Sequence, residues 1–146
     1  MSPRYLVSTG RVLLSVIFLL SGLSKIMEWV PTQQYMAAKG IPFVLAFLLC
    51  AIAIELTGGL SVLLGWKARW GALLLFFYLI PTTLFFHNFW SLGGIERQTE
   101  MVNLLKNLSI MGGLLLVVAC DAMALAQSVS DDFLAGDTGP RFRRAG

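Results

Sequence analysis

Charge is what this sequence lacks most. Only 13% of its 146 residues are charged, 57% are hydrophobic, and the mean hydropathy is +0.76. Soluble domains of this size usually carry about a quarter charged residues. The composition therefore argues against a water-soluble globule. The net charge of +3 is modest, and we expect no nucleic-acid partner.

Cysteine and histidine are also scarce. Cys50 and Cys120 lie in different hydrophobic runs and at different expected depths, too far apart for a disulfide. There is no Cys-x-x-Cys motif for thiol–disulfide exchange, and His87 is the only histidine. One histidine and two distant cysteines do not make a metal site. Phosphate-loop, dinucleotide-binding and nucleophile-triad motifs are missing too, so we predict no metal and no covalently bound cofactor.

Long hydrophobic runs dominate what is present. They cover about residues 5–27, 42–65, 70–90 and 101–125, and each reaches the roughly 20 residues that a membrane-crossing helix needs. Stretches such as Leu73–Leu79 do not alternate as barrel strands would. The sequence predicts an all-α membrane protein, a bundle of four transmembrane helices in one domain over residues 1–126.

The connections between the runs support this division. Pro31 is expected to end the first helix, and Pro42 falls near the first turn of the second helix, where its missing N–H costs nothing. Trp66 and Trp70 flank a short turn with two cations, as expected at the headgroup layer. Residues 127–146 are polar and contain glycine and proline, so we predict a flexible cytoplasmic tail.

The cations are distributed unevenly between the two sides of the predicted bundle. With four spans, one side holds seven of the eleven cations: Arg4, Arg11, Lys67, Arg69, Arg141, Arg143 and Arg144. The positive-inside rule therefore predicts that both termini are cytoplasmic.

Three charged residues form an expected inner polar layer. Glu55 lies roughly 20 Å along its helix from Pro42, with Arg11 and Asp121 at a similar level. Charges at membrane depth are costly and mark functional sites by default. We expect an Arg11–Glu55 or an Arg11–Asp121 pair and consider all three residues as buried polar or proton-exchange candidates.

A second group of polar residues is expected near the outer face. The ligand-binding candidates there are Lys25, His87, Trp90, Lys106 and Asn107. Simpler interpretations stay open, because the two lysines near span ends also fit snorkelling to the headgroups. His87 also fits an interfacial residue making a single hydrogen bond.

The second run carries small residues on one helical face. Ala51, Gly58 and Gly59 accompany Glu55 at helical spacing, a pattern that lets another helix approach closely. We therefore expect Glu55 to face the bundle and not the lipid.

The ordered set of motifs resembles the DoxX family of small bacterial membrane proteins over about residues 5–126. The matching segments are Arg11 to Lys25 in the first span, Tyr35 through Gly40-Ile41-Pro42, Glu55-Leu56-Thr57-Gly58-Gly59, Gly65 before the cationic turn, His87 to Trp90, and Lys106-Asn107 through Gly112-Gly113. The resemblance implies a four-helix bundle in the bacterial cytoplasmic (inner) membrane. It also implies a functional polar set of Arg11, Lys25, Glu55, His87, Lys106 and Asn107.

The family name derives from a subunit of a thiosulfate:quinone oxidoreductase, and other members resemble partners in complexes for thiol and oxidative-stress homeostasis. The leading hypothesis is thus a quinone-interacting membrane component of an oxidoreductase system. Lys25, His87, Lys106 and Asn107 would supply donors to the quinone, with aromatic walls from Phe85, Phe86, Phe89 and Trp90. His87 or Glu55 would exchange protons with a bound quinol. The cysteine pairs of some redox-active relatives are missing here, so a partner protein would supply the electrons.

Two other functions compete with this hypothesis. A non-catalytic scaffold or assembly partner would use the small-residue face and the arginine-containing tail as docking surfaces. A small-solute or anion carrier would use the outer cations and, with only four spans, would need to form a homo-oligomer.

Overall fold

The structure, a computed structural model, describes residues 3–86 and 92–136, and these form helices joined by turns. The helices are α1 (Pro3–Met27), α2 (Trp29–Ala38), α3 (Val44–Leu64), α4 (Ala68–Phe86) and α5 (Gly94–Gly136). Helices α1, α3, α4 and α5 are long and apolar enough to cross a membrane. The prediction of an all-α bundle with four membrane spans is confirmed, whereas the orientation of the termini stays a prediction.

Helices α1 and α2 are two parts of one nearly continuous helix that breaks at Glu28. The Glu28 amide still donates to the Ser24 carbonyl at 2.7 Å, and the Thr32 amide donates to the Glu28 carbonyl at 2.9 Å. Pro31 has no N–H to offer the carbonyl four residues earlier, and its ring crowds that carbonyl. Helix α1 ends at Met27, as in the predicted span of 5–27. Pro31 itself does not end the helical run, which breaks at Glu28 and continues as α2 for another ten residues.

The spans pack in sequence, α1 on α3, α3 on α4 and α4 on α5. Gly22 of α1 lies against Leu56 of α3, while Gly59 of α3 lies against Leu19 of α1, so the two helices run antiparallel. A Cβ on Gly58 would lie only 2.7 Å from the Leu75 side chain of α4. Small residues thus bring α3 close to both neighbours, as the sequence predicts.

The apolar core lies where these helices meet. Its fully buried members include Val62 on α3, Leu75 on α4 and Leu114 on α5, together with Phe18 of α1. A second cluster joins Met36 of α2 to the first half of α3. Helix α2 therefore packs along α3 instead of extending away from the bundle.

Helix α5 differs most from the predicted span of 101–125. It begins at Gly94 and continues to Gly136, so residues 127–136, assigned above to the tail, are helical. Its 43 residues correspond to about 64 Å, roughly twice the thickness of a hydrocarbon core. The remaining tail residues, 137–146, lie outside the described residues.

Candidate functional site

Three polar side chains from two helices, α1 and α4, converge on the Glu55 carboxylate of α3. The Lys25 ammonium donates to both carboxylate oxygens at 2.9 Å. The Tyr78 hydroxyl donates to Oε1 at 2.9 Å, and the Ser21 hydroxyl donates to the same oxygen at 3.2 Å. Lys25 also donates to the Ser21 oxygen at 2.6 Å. We call Ser21, Lys25, Glu55 and Tyr78 the carboxylate cluster.

The helical frame explains how these residues meet. Ser21 and Lys25 are one turn apart on α1, and a helical side chain points back towards the N-terminus of its own helix. The Lys25 side chain therefore runs alongside Ser21 towards Glu55 on α3. Gly22, on the same part of α1, packs against Leu56 and Glu55 itself, which brings the two backbones close. Tyr78 reaches the carboxylate from α4, on the other side of α3.

The cluster is buried to different degrees. The Glu55 residue is only 4% exposed, whereas the Lys25 side chain is 22% exposed. An ionised carboxylate removed from water must be paired and hydrogen-bonded to persist, and Glu55 has one cation and two hydroxyl donors. Lys25 is thus where the cluster opens to the surroundings of the isolated chain.

The structure corrects the predicted partner of Glu55. Arg11 does not pair with it; Lys25 does, although Lys25 was assigned to a separate outer layer. Helix α1 ends at Met27, well before the level at which α3 begins, and α2 continues the chain from there. The depth of Lys25 was estimated by counting residues along the first run, on the assumption that α1 reaches the outer face. That assumption placed Lys25 too far from Glu55.

The alternative pairing of Arg11 is confirmed. Its guanidinium lies 3.6 Å from the Asp121 carboxylate, and both side chains are 20% exposed. The guanidinium also packs against Gly65, where a Cβ would collide with it. Gly65 has a φ of 73° and ends α3, so both its conformation and its neighbour favour glycine. We call Arg11 and Asp121 the peripheral pair.

The remaining outer candidates are dispersed. Asn107 is buried and donates from its amide to the Thr83 hydroxyl at 3.1 Å, joining α5 to α4. Lys106 is exposed and donates to Asn103 on its own helix at 3.3 Å. His87 and Trp90 lie outside the described residues, as does Phe89.

The end of α4 is held by α2. The Tyr35 and Phe86 rings stack with centroids 5.6 Å apart. The Lys39 ammonium donates to the Phe86 carbonyl at 3.3 Å and lies over the Tyr35 ring. These contacts fix the position of α2 beside α3 and α4.

Sequence reasoning missed Ser21 and Tyr78 as members of the site. The sequence did contain a signal for Tyr78. Tyrosines of membrane proteins concentrate at the interfaces, whereas this one lies in the middle of α4, an unusual position.

Cys50 and Cys120 are both free thiols, Cys50 exposed and Cys120 half-buried. The two surface grooves, of about 420 and 380 Å³, lie beside α2 and the start of α3, away from the carboxylate cluster.

A family model and two related proteins match this chain. The DoxX family model matches residues 6–88. The inner membrane protein YphA of Escherichia coli K12 is 32% identical over 108 residues, covering 74% of this chain and 77% of the relative. The inner membrane protein YqjF of the same organism is 34% identical over 112 residues, covering 76% and 80%. No solved structure matches the chain.

Proposed function

The chain belongs to the DoxX family and is a multi-pass inner-membrane protein, and on that premise we propose that it is a quinone-interacting component of an oxidoreductase or redox-homeostasis system. One observation carries the proposal. A carboxylate with three proton-bearing partners lies inside an apolar bundle. Placing an ionisable side chain inside a membrane costs free energy, so such residues mark functional sites by default.

The chemistry of the donor set fits a quinone. A bound quinone would accept two electrons and two protons and become a quinol. Lys25 and Tyr78 are the groups that would donate hydrogen bonds to its carbonyl oxygens. Glu55 lies within 2.9 Å of both donors and would relay protons to and from them. Because the Lys25 side chain is 22% exposed, we place the access to the cluster on its side.

Electrons would come from a reducing partner protein. The two cysteines are single thiols on different helices, Cys50 on α3 and Cys120 on α5, so they do not form a dithiol. The proposed role of this chain is therefore to hold the quinone and manage its protons while the partner reduces it.

The proposal is tested by titrating the purified protein in lipid nanodiscs with a short-chain benzoquinone. We expect saturable binding, seen as tryptophan quenching and a raised melting temperature. Glu55→Gln and Tyr78→Phe should weaken binding roughly tenfold, as expected when a hydrogen bond worth about 1.4 kcal/mol is lost. Asp121→Asn, which changes a carboxylate in the peripheral pair, is the matched control and should bind normally. Absence of saturable quinone binding by the unsubstituted protein would remove the basis of the proposal.

An assembly role is the second candidate, and the far end of α5 favours it. This helix continues fifteen residues past Asp121, about 22 Å, to Gly136. Leu125, Val129 and Phe133 follow one another at four-residue spacing on this segment and are 45%, 68% and 78% exposed. Val129→Asp should lower the mass of the complex measured by light scattering, whereas Gln127→Asp on the same turn should not. Equal masses for both variants would count against assembly through α5.

A further inference from the structure

The turn between α3 and α4 presents two aromatic rings and two cations together. Trp66 and Trp70 are 70% and 59% exposed, so neither ring is packed inside the chain. The Lys67 ammonium lies 5.3 Å from the centre of the Trp66 ring, and the Arg69 guanidinium lies 5.1 Å from the centre of the Trp70 ring. We call residues 66–70 the basic turn.

The basic turn is built as a rigid unit. The Ser61 hydroxyl donates to the Trp66 carbonyl at 2.8 Å and approaches the Lys67 carbonyl at 3.3 Å. Amides of Trp70 and Gly71 donate to the Lys67 carbonyl. These bonds hold the backbone of the turn in one conformation, so the backbone needs little further ordering when a ligand binds.

The charges of the basic turn are not neutralised within the described part of the chain. Neither the Lys25–Glu55 pair nor the Arg11–Asp121 pair involves Lys67 or Arg69. A cation over an indole face gains a modest attraction from the ring, but it keeps its full charge. Two uncompensated cations therefore lie at the junction of two membrane-crossing helices, α3 and α4.

We propose that the basic turn is a binding site for anionic phospholipid, with Lys67 and Arg69 on the phosphodiester and Trp66 and Trp70 beside the upper acyl chains. A phosphate offers oxygens to both cations by charge-assisted hydrogen bonds. Indole rings favour the boundary between headgroups and acyl chains, and this turn joins two helices long and apolar enough to cross a membrane. The site is separate from the carboxylate cluster and does not depend on the quinone proposal.

The test uses tryptophan quenching by brominated lipid. Trp29→Phe/Trp90→Phe leaves the two tryptophans of the basic turn as the only ones in the chain. This variant is placed in phosphatidylcholine vesicles containing a fixed share of either brominated phosphatidylglycerol or brominated phosphatidylcholine. We expect stronger quenching by the anionic lipid, and a preference that falls as salt screens the charges.

Charge removal then identifies the residues responsible. Lys67→Gln/Arg69→Gln should reduce the preference for the anionic lipid by roughly fivefold per cation, the equivalent of about 1 kcal/mol for each. Lys39→Gln/Arg97→Gln removes the same charge at the other end of the bundle, from the residue after α2 and from the first turn of α5, and should keep the preference.

Three results would overturn the proposal. They are equal quenching by the two brominated lipids, unchanged preference in Lys67→Gln/Arg69→Gln, and an equal loss in both double variants. Native mass spectrometry of the unsubstituted protein provides a second measurement that needs no tryptophan substitution. It should show phosphatidylglycerol retained in preference to phosphatidylcholine when both are supplied equally, and indifferent retention would also overturn the proposal.

Discussion

Two ion pairs of the bundle, Lys25–Glu55 and Arg11–Asp121, are built differently. In the carboxylate cluster the Lys25 ammonium contacts both oxygens of a 4%-exposed glutamate at 2.9 Å, with two hydroxyls completing the shell. In the peripheral pair Arg11 approaches Asp121 at 3.6 Å, and both side chains are 20% exposed. The two cations are thus similarly exposed, at 22% and 20%, whereas the two carboxylates differ in burial and in the number of their donors.

The difference follows from desolvation. A buried ion pair must recover the cost of removing both charges from water, which it does only with good geometry and additional hydrogen bonds. A partly exposed pair keeps some solvation and tolerates a longer separation, but it contributes little to stability. The depth of a pair therefore predicts how strongly the fold depends on it.

Lys25→Met should have the largest effect on folding. It leaves the buried Glu55 carboxylate with only hydroxyl donors, and breaking a buried pair from one side costs about 3–5 kcal/mol. Reversible unfolding in mixed detergent micelles measures the change. Lys25→Met/Glu55→Gln should regain part of the loss because the charge is removed with its partner. If the double variant is less stable than Lys25→Met, the explanation by an uncompensated charge fails.

Tyr78→Phe should have the next largest effect. It removes the 2.9 Å hydrogen bond to Glu55 Oε1 and keeps the ring, so the expected loss is about 1.5–3 kcal/mol for a bond to a charged acceptor. Tyr5→Phe is the matched control, since Tyr5 is 69% exposed near the start of α1. The same unfolding assay applies, and equal losses for the two variants would contradict the described role of Tyr78.

Gly65→Ala tests the surroundings of the peripheral pair. The new Cβ would collide with the Arg11 guanidinium, and alanine would have to adopt the left-handed backbone conformation of Gly65. Together these effects should lower the free energy of unfolding by about 1–2 kcal/mol. Gly40 has an almost identical φ of 75° with nothing near its missing Cβ. Gly40→Ala therefore reports backbone strain alone. Unfolding free energies that are equal for the two variants would show that contact with Arg11 costs nothing.

Asp121→Asn should have the smallest effect, about 1 kcal/mol or less. The contact is long and partly exposed, and whatever stability it provides should fall as salt concentration rises. Unfolding free energies at low and high salt check both statements. A loss as large as that of Lys25→Met would erase the distinction between the two pairs.

Much of the fold could be predicted from the sequence, because membrane spans depend on local hydropathy. The four runs and the close approach at Gly58 follow from run length and helical spacing, and the Arg11–Asp121 contact is one of the two pairings that the expected depths allowed. The break at Glu28 was not predicted, because Pro31 was taken to end the helix and not to bend it. The far end of α5 was missed because polar composition does not exclude a helix that continues beyond the lipid.

The carboxylate cluster was only partly predictable. The burial of Glu55 follows from its apolar neighbours and the adjacent glycines, but its partner depends on the vertical offset between α1 and α3. That offset is fixed by packing, with Gly22 against Leu56, and by the length of α2. Neither can be predicted from the length of a hydrophobic run. The hydrogen bond from Tyr78 to Glu55 depends in addition on the rotation of α4 about its own axis.

The break at Glu28 has a consequence for local opening. Helix α2 is only ten residues long and is attached through Met36, the Tyr35–Phe86 stack and the Lys39 contact with α4. Segments with few buried contacts exchange their amide hydrogens through small openings that leave the rest of the fold intact. We expect the α2 amides to exchange deuterium well before those of α3, so that α2 detaches from α3 and α4 while the four spans stay assembled.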